Sequence, residues 1–431
     1  MSGIKDTNLP AILGGTPVRD KKIFYGRQWI NEDDVKAVAG TLTADLITCG
    51  PQVDALEKRL TEYTGAKFAI ACSNGTTALH LAAAAAGIGS ACGGSADDEV
   101  ITTPITFMAS ANCALYCGAV PVFADINPET YNIDPASVRE KITDKTKAVV
   151  AVDYTGQCCE FDELRKICDE HGLVLIEDAA HSIGSKYNGK PVGSIADMTC
   201  FSFHPVKTVT GGEGGAVLTD DPELARKLRL LRSHSMEHDQ SLFLYPGYGN
   251  YERTVTDENG HTVTETVDDM GGWYYEQQML GFNYRMTDFQ AALLISQLGR
   301  IDFFVARRKE IVARYNEAFA DLDGVIVQKE IPESDTCRHL YVLRLDPEKL
   351  SCTRKEFFNA MSAENVQCQV HYIPVYWMPE YIRRGYRKGL CPKAEEVYRN
   401  IMSIPLYPMM SDQDVCDVIA AVKKLVAYYH K

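Results

Sequence analysis

A chain of 431 residues leaves room for one large folded unit and a smaller one, and a composition 45% hydrophobic and 24% charged is that of an ordinary globular protein. The formal net charge of −14 argues against general nucleic-acid binding, which needs a basic footprint. Fourteen cysteines without a CxxC pair argue against a metal site, and in a long chain without a signal peptide they are expected to stay reduced.

Residues 1 to 24 read as an arm. They carry no basic segment followed by a long apolar run, so no signal peptide is expected and the location is expected to be cytoplasmic. "EDDVKAVAGTLTA" and "VDALEKRLTEYTG" have the spacing of amphipathic helices, the second closed by Gly65. "KFAIACSNGTTALHLAAAAAG" reads as a strand, a turn and an Ala-rich helix. Its apolar part is too short to span a bilayer, and no membrane partner is expected. Strands at "DEVITTP", "VPVFADI", "KAVVAVD" and "LVLIEDAA" then alternate with helices at "MASANCALYCG", "SVREKI" and "DELRKICDEHG". That alternation predicts an α/β fold with a mostly parallel sheet covered on both faces. Residues 25–300 are assigned to this large domain. Within it, 236–280 reads as an insertion, where Thr and Val alternate around "DENG" as in a β-hairpin, although a disordered loop would carry the same composition. From Thr287 the pattern is one long helix or two. Residues 301–431 form a smaller α+β domain, with strands expected at "HLYVLRL" and "VQCQVHYI" and a terminal helix at "DQDVCDVIAAVKKLVAYYH".

Three features carry chemistry. "CSNGTTALH" places free backbone N–H groups at a helix N-terminus, a ready phosphate site, although a small polar cap needs no ligand. "VLIEDAAHSIG" sets Asp178 just past a buried strand, where ligands gather in open α/β sheets; it could equally be a capping aspartate. In "FSFHPVKTVTGGEGG", Lys207 is the only charge between Asp197 and Glu213. A lysine among apolar neighbours has a lowered pKa and can form a Schiff base, although a snorkelling lysine is also common. Together a phosphate cradle, a carboxylate and such a lysine match what pyridoxal phosphate requires.

At these residues the chain resembles the DegT/DnrJ/EryC1/StrS sugar aminotransferases, enzymes of pyridoxal-phosphate fold type I. The resemblance runs from about Tyr25 to the C-terminus, through "EDAAHSIG", "FSFHPVKTVTGGEGG", "LRSHS", "GFNYRMTDFQAALLISQL" and "VHYIPVY". It implies a large domain with a seven-stranded type of sheet and pyridoxal 5′-phosphate as cofactor. Lys207 would carry the aldehyde as a Schiff base and act as the acid–base group, and Asp178 would pair with the pyridine nitrogen. Ser202 would meet the phosphate. Gly75 and Thr76 would offer backbone and hydroxyl, and Phe107 would stack on the ring. His181 would sit near the phenolic oxygen, where many relatives carry glutamine. Asn283 would reach the phosphate in the neighbouring subunit, so a homodimer with shared sites is implied. Tyr25, Asp45, Leu46, Ile47, Thr48, Gln369, Val370, His371 and Tyr372 fall in substrate-contact stretches, although Tyr25 and Tyr372 could be core aromatics. The partners implied are L-glutamate as amino donor and a UDP-linked 4-keto-6-deoxy-N-acetylhexosamine as acceptor at C4. Two residues depart from the family pattern: Gly75, where alanine is frequent, and Ser235, where glycine is usual. A competing class is a non-catalytic regulator that keeps the fold, and the complete lysine, aspartate and phosphate set argues against it.

Overall fold

The computed structural model describes residues 9–431, so residues 1–8 of the expected arm lie outside it. Helix α1 (Glu32–Leu42) opens on a reciprocal cap, Asn31 accepting from the Asp34 N–H and Asp34 from the Asn31 N–H. Helix α2 (Pro51–Thr64) has proline in its first turn and ends on Gly65 at φ 81°. Strand β1 (Phe68–Cys72) leads into α3 (Gly75–Ala85), and β2 (Glu99–Thr102) into α4 (Ala109–Tyr116). Strands β3 (Val120–Phe123), β4 (Thr146–Val152), β5 (Val174–Asp178), β6 (Met198–Ser202) and β7 (Gly215–Thr219) complete one sheet.

The seven strands run in the order β1-β7-β6-β5-β4-β2-β3. Strand β7 pairs antiparallel with both neighbours, and every other pairing is parallel. All strands but β7 therefore point their carboxyl ends to one edge, where ligands bind in open α/β sheets. Successive side chains alternate between two cores. Ala69 and Ala71 face Leu56, Leu60, Leu294 and Leu298, while Ile70 and Cys72 face Leu81, Cys113, Leu228 and Leu231.

A further core gathers around a three-stranded sheet of Val325–Val327, Tyr341–Leu345 and Ile401–Ile404, covered by helices Arg354–Ala363 and Asp412–Tyr429. The stretch from Thr287 is two helices, Asp288–Leu298 and Ile301–Phe319, bent by 58°. The second straddles both cores: Ile301 and Phe304 pack in the large one, and Ile311, Tyr315 and Phe319 in the small one. Among the described residues no single helix is long and apolar enough to cross a membrane.

The segment 236–280 contains the expected hairpin, Tyr251–Thr256 against Thr262–Val267, almost entirely exposed. The strand expected at "VQCQVHYI" does not form. Val366 makes one bridge to Ile23 and Gln369 one to Ser403, and the chain then runs irregularly through His371 and Tyr372. The alternating-face rule consequently does not apply there.

One buried ionic cluster clamps α1 to the helices after residue 287. Asp34 is fully buried and accepts from Ser296 Oγ at 2.6 Å, Gln297 Nε2 at 2.7 Å and Arg300 Nη2 at 2.5 Å. Asp34→Ala would leave Arg300 and Gln297 facing a desolvated gap. Arg300 retains some solvent contact, so the expected loss is about 2–4 kcal/mol, with Asp34→Asn losing less. Chemical denaturation of both variants checks this; an Asp34→Ala protein as stable as wild type would show the cluster to be ornamental.

Candidate active site

The carboxyl edge of the sheet encloses a cavity of about 420 Å³, within the range of small-molecule sites. One end is the N-terminus of α3. Asn74 caps it by accepting from the Thr77 N–H, while the Gly75 and Thr76 N–H groups have no protein partner among the described residues and line the cavity. Gly75 is needed here for space. A Cβ at Gly75 would lie 2.7 Å from Ser202 Cβ, so the helix start and the end of β6 could not approach as they do. Two free N–H groups at a positive helix end, beside the Ser202 hydroxyl, form an anion cradle.

Asp178 ends β5 across the cavity. Ser110 Oγ donates to Asp178 Oδ2 at 2.6 Å and the Ala180 N–H donates to Oδ1 at 3.2 Å. Burial raises its carboxyl above the ordinary value, against the pull of Ser110, the Ala180 N–H and Lys207; a cation placed beside it would restore its charge. Lys207 follows β6 in a turn closed by its N–H to the His204 carbonyl at 2.9 Å. It is half-buried and lines the cavity. Desolvation pulls its amine down to about 8, opposed only by Asp178. About a tenth of the side chain is therefore free amine at pH 7, against well under a thousandth for an unperturbed lysine, and the free amine is the form a nucleophile requires.

The remaining wall is aromatic and imidazole. Tyr25, Phe107, His181, His339, His371 and Tyr372 all line the cavity. Phe107 lies edge-on to Tyr372 at 6.3 Å, His339 is 4.8 Å from His181, and Tyr25 is 5.2 Å from His371. His371 Nδ1 pairs with Ser403 Oγ at 2.8 Å, and the Tyr154 hydroxyl holds its carbonyl. Burial, with Lys207 nearby, pushes His371 down to about 3 and His339 well below the ordinary histidine value.

Of the residues singled out in the sequence, Tyr25, Gly75, Thr76, Phe107, Asp178, His181, Ser202, Lys207, His371 and Tyr372 come together in this cavity. Asn283 and the segment Asp45, Leu46, Ile47 and Thr48 do not line it; all five are exposed. The segment is held elsewhere, with the Asp288 N–H on the Ile47 carbonyl and Thr48 bridged to Thr287. Gln369 and Val370 also lie outside, because Gln369 exchanges backbone bonds with Ser403 at the edge of the small sheet. Sequence reasoning passed over Ser110 and His339. The hydroxyl of Ser110 is recognisable only once Asp178 is seen beside it, and His339 opens the run "HLYVLRL", where its apolar neighbours masked it.

The donor set fits pyridoxal phosphate: an anion cradle, a carboxylate for the ring nitrogen and an amine for the aldehyde. Comparison with known proteins agrees. The model of the DegT/DnrJ/EryC1/StrS aminotransferase family matches residues 28–423. The chain is similar to the spore coat polysaccharide biosynthesis protein SpsC of Bacillus subtilis, 39% identical over 95% of this chain and 98% of that one. It is also similar to the UDP-4-amino-4,6-dideoxy-N-acetyl-β-L-altrosamine transaminase of Campylobacter jejuni, 34% identical over 91% and 94% of the two chains. Among solved structures, Helicobacter pylori PseC, an aminotransferase of pseudaminic acid biosynthesis, superposes with a TM-score of 0.82 at 30% identity, covering 95% of this chain and 100% of that one. Streptococcus pneumoniae Spr1654 was solved in its PLP form and superposes at 0.81 with 28% identity over 94% and 99% of the two chains. The family match runs from before the first helix into the last, the cavity has the donors such a cofactor needs, and the chain accordingly belongs to the DegT/DnrJ/EryC1/StrS family of pyridoxal-phosphate-dependent sugar aminotransferases.

Proposed function

We propose that this aminotransferase moves the amino group of L-glutamate to C4 of a UDP-linked 4-keto-6-deoxy-N-acetylhexosamine, the activity of a UDP-4-amino-4,6-dideoxy-N-acetyl-β-L-altrosamine transaminase. The observation that carries amino transfer is the Lys207 amine, desolvated to a pKa of about 8 between Asp178 and the open end of α3. The Campylobacter relative and the PseC fold support the particular acceptor. A second reading, another nucleotide-linked keto sugar, stays in play because the SpsC relative, at higher identity, is named for spore coat polysaccharide biosynthesis and not for this acceptor.

Bound pyridoxal phosphate supplies an aldehyde that condenses with amines and a ring that takes up electrons. The chain's residues do the rest. Gly75, Thr76 and Ser202 anchor the phosphate at the helix end. Asp178, itself oriented by Ser110, would keep the ring nitrogen protonated. Lys207 Nζ would serve as the acid and base that moves protons in the cavity. Phe107 would cover a ring face. We further propose that two copies pair. Leu46 and Ile47 are 53% and 46% exposed, beside the segment that carries Asn283, and a second copy would cover them while Asn283 reached its phosphate. The decisive assay mixes candidate UDP-keto sugars with glutamate and reads the amino sugar by mass spectrometry. Amination of a different keto sugar in preference would select the second reading.

Three outcomes are expected. Lys207→Ala should lose turnover by about 10³-fold or more while still binding cofactor, because the phosphate and ring-nitrogen contacts survive; absorbance and steady-state rates read both quantities. Asp178→Asn should lower kcat by about 10²–10³-fold with the fold intact, the usual scale for removing one preorganised electrostatic contact. A rate within twofold of wild type would assign the ring nitrogen to another residue. The third concerns pH. The Lys207 amine titrates near 8 in the folded protein against 10.5 when unperturbed, so between those values the unfolded chain binds more protons. Its contribution to stability therefore rises with pH across that window. In cofactor-free protein, the difference in unfolding free energy between wild type and Lys207→Met should move in favour of wild type from pH 8 to 10.5. A flat difference would mean that the amine is not desolvated.

A further inference from the structure

A carboxylate outside the cavity holds the chain that forms one of its walls. Glu364 closes the helix Arg354–Ala363 and is fully buried. Both of its oxygens are committed. The Ala11 N–H donates to Oε1 at 2.8 Å and the Val18 N–H to Oε2 at 2.9 Å, while Lys424 Nζ lies 2.9 Å from Oε1 and 3.1 Å from Oε2. Lys424 Nζ also donates to the Thr16 carbonyl at 2.8 Å. A buried carboxylate needs such partners, and here two of them are backbone amides of the N-terminal arm. The next residue continues the grip. Asn365 takes the left-handed backbone at φ 64°, which asparagine tolerates. Its Nδ2 donates to the Arg19 carbonyl at 2.7 Å, and its carbonyl accepts from the Ile23 N–H at 2.9 Å. The Gln367 N–H returns to the Ile23 carbonyl at 2.8 Å.

Just beyond Ile23 the arm reaches the site. Tyr25 lines the cavity with its ring 5.2 Å from His371, and its carbonyl accepts from the Leu406 N–H at 3.0 Å. A Cβ on Gly26 would stand 3.6 Å from Val206 Cβ, so the arm passes against the residue before Lys207. The chain then crosses to the large domain, where the Trp29 carbonyl accepts from Gln297 Nε2 at 2.9 Å. A substrate whose protons Lys207 moves has to sit beside this wall. We propose that Glu364 and Asn365 are positioning residues for the acceptor: they latch the arm to the small domain and so seat Tyr25 against the nucleotide-linked sugar. The inference rests on the cavity being the site of such a sugar, and not on which one is aminated.

The test uses full-length holoenzyme. Glu364→Gln keeps the size of the side chain but leaves one acceptor oxygen, and turns an NH2 group toward a backbone N–H or Lys424. Asn365→Gly keeps the left-handed backbone and removes the donor to Arg19. Calorimetry reads the binding of three unreactive nucleotide sugars, UDP-N-acetylglucosamine, dTDP-glucose and GDP-mannose, and the one that wild type binds tightest serves for the variants. Each variant should weaken that binding by about 5–10-fold, the scale of one lost contact, with the glutamate half-reaction within about twofold of wild type. In a Tyr25→Ala background the same changes should weaken it by less than about twofold, the non-additivity expected of residues acting through Tyr25. Hydrogen exchange over residues 9–25, measured without any sugar, should be faster in both variants. Unchanged protection of the arm, unchanged sugar binding, or an equal loss with and without Tyr25 overturns the latch. Tightest binding of dTDP-glucose or GDP-mannose would count against the UDP-linked acceptor, while the same variants read the latch on that probe.

Discussion

The architecture turns on a close approach of backbone at the carboxyl edge of the sheet. Strand β7 reverses direction against β6, with Ser202 opposite Gly215, and starts against the cap of α3. A Cβ on Gly215 would stand 2.3 Å from the Asn74 carbonyl oxygen, and one on Gly75 would stand 2.7 Å from Ser202 Cβ. These two glycines let the phosphate-binding turn, the end of β6 and the return of β7 pack as one unit. The loop between the two strands is tied at its base, with the Phe203 N–H on the Gly214 carbonyl and the Gly211 N–H on the Phe203 carbonyl. Lys207 is carried on that short, closed loop, which is why a flexible side chain has a fixed origin.

Electrostatics follows from that packing. The surface is acidic, with a formal net charge of −14, yet the site has to attract a phosphate and a nucleotide-linked sugar. It does so with partial positive charge at a helix end and one lysine, both desolvated, where a charge counts for more than on the surface. The same desolvation lowers Lys207 and raises Asp178, so each half of the acid–base apparatus is held off its ordinary value by burial and pulled back by the other. The histidines of the wall are kept neutral by burial with Lys207 near. They therefore add no positive charge to the site.

The small domain closes the site by geometry. Helix Ile301–Phe319 places its first turn in the large core and its later turns in the small one, so the two cannot shift independently without breaking packed contacts. From that base His339 enters at the start of strand Tyr341–Leu345, and His371 and Tyr372 enter from an irregular segment pinned by Ser403 and Tyr154. Irregularity is what allows both neighbouring side chains to reach one cavity, since in a strand they would face apart.

The sequence by itself determined the large domain's alternation of strands and helices, marked Lys207, Asp178 and the turn at Gly75 as candidates for the site, and offered a hairpin around "DENG" beside a plain loop. Those features are local: hydrophobic period, capping residues and turn glycines act within a few positions of one another. Tertiary structure alone decided what is brought together over long separations. Ser110 became a partner of Asp178 because α4 crosses above the end of β5, and a serine in an Ala-rich helix start gives no sign of that. The segment at 366–373 has the composition of a strand but no second strand to complete its ladder. It makes single bridges at Val366, to Ile23, and at Gln369, to Ser403, and there the tertiary context overrode propensity. The fate of Asn283 and of residues 45–48 is likewise not written locally: Asn283 bridges Ser233, while Asp288 and Thr287 hold Ile47 and Thr48 away from the cavity. A residue's chemistry is carried by its side chain, but which cavity it serves is set by the packing of elements far away in the chain.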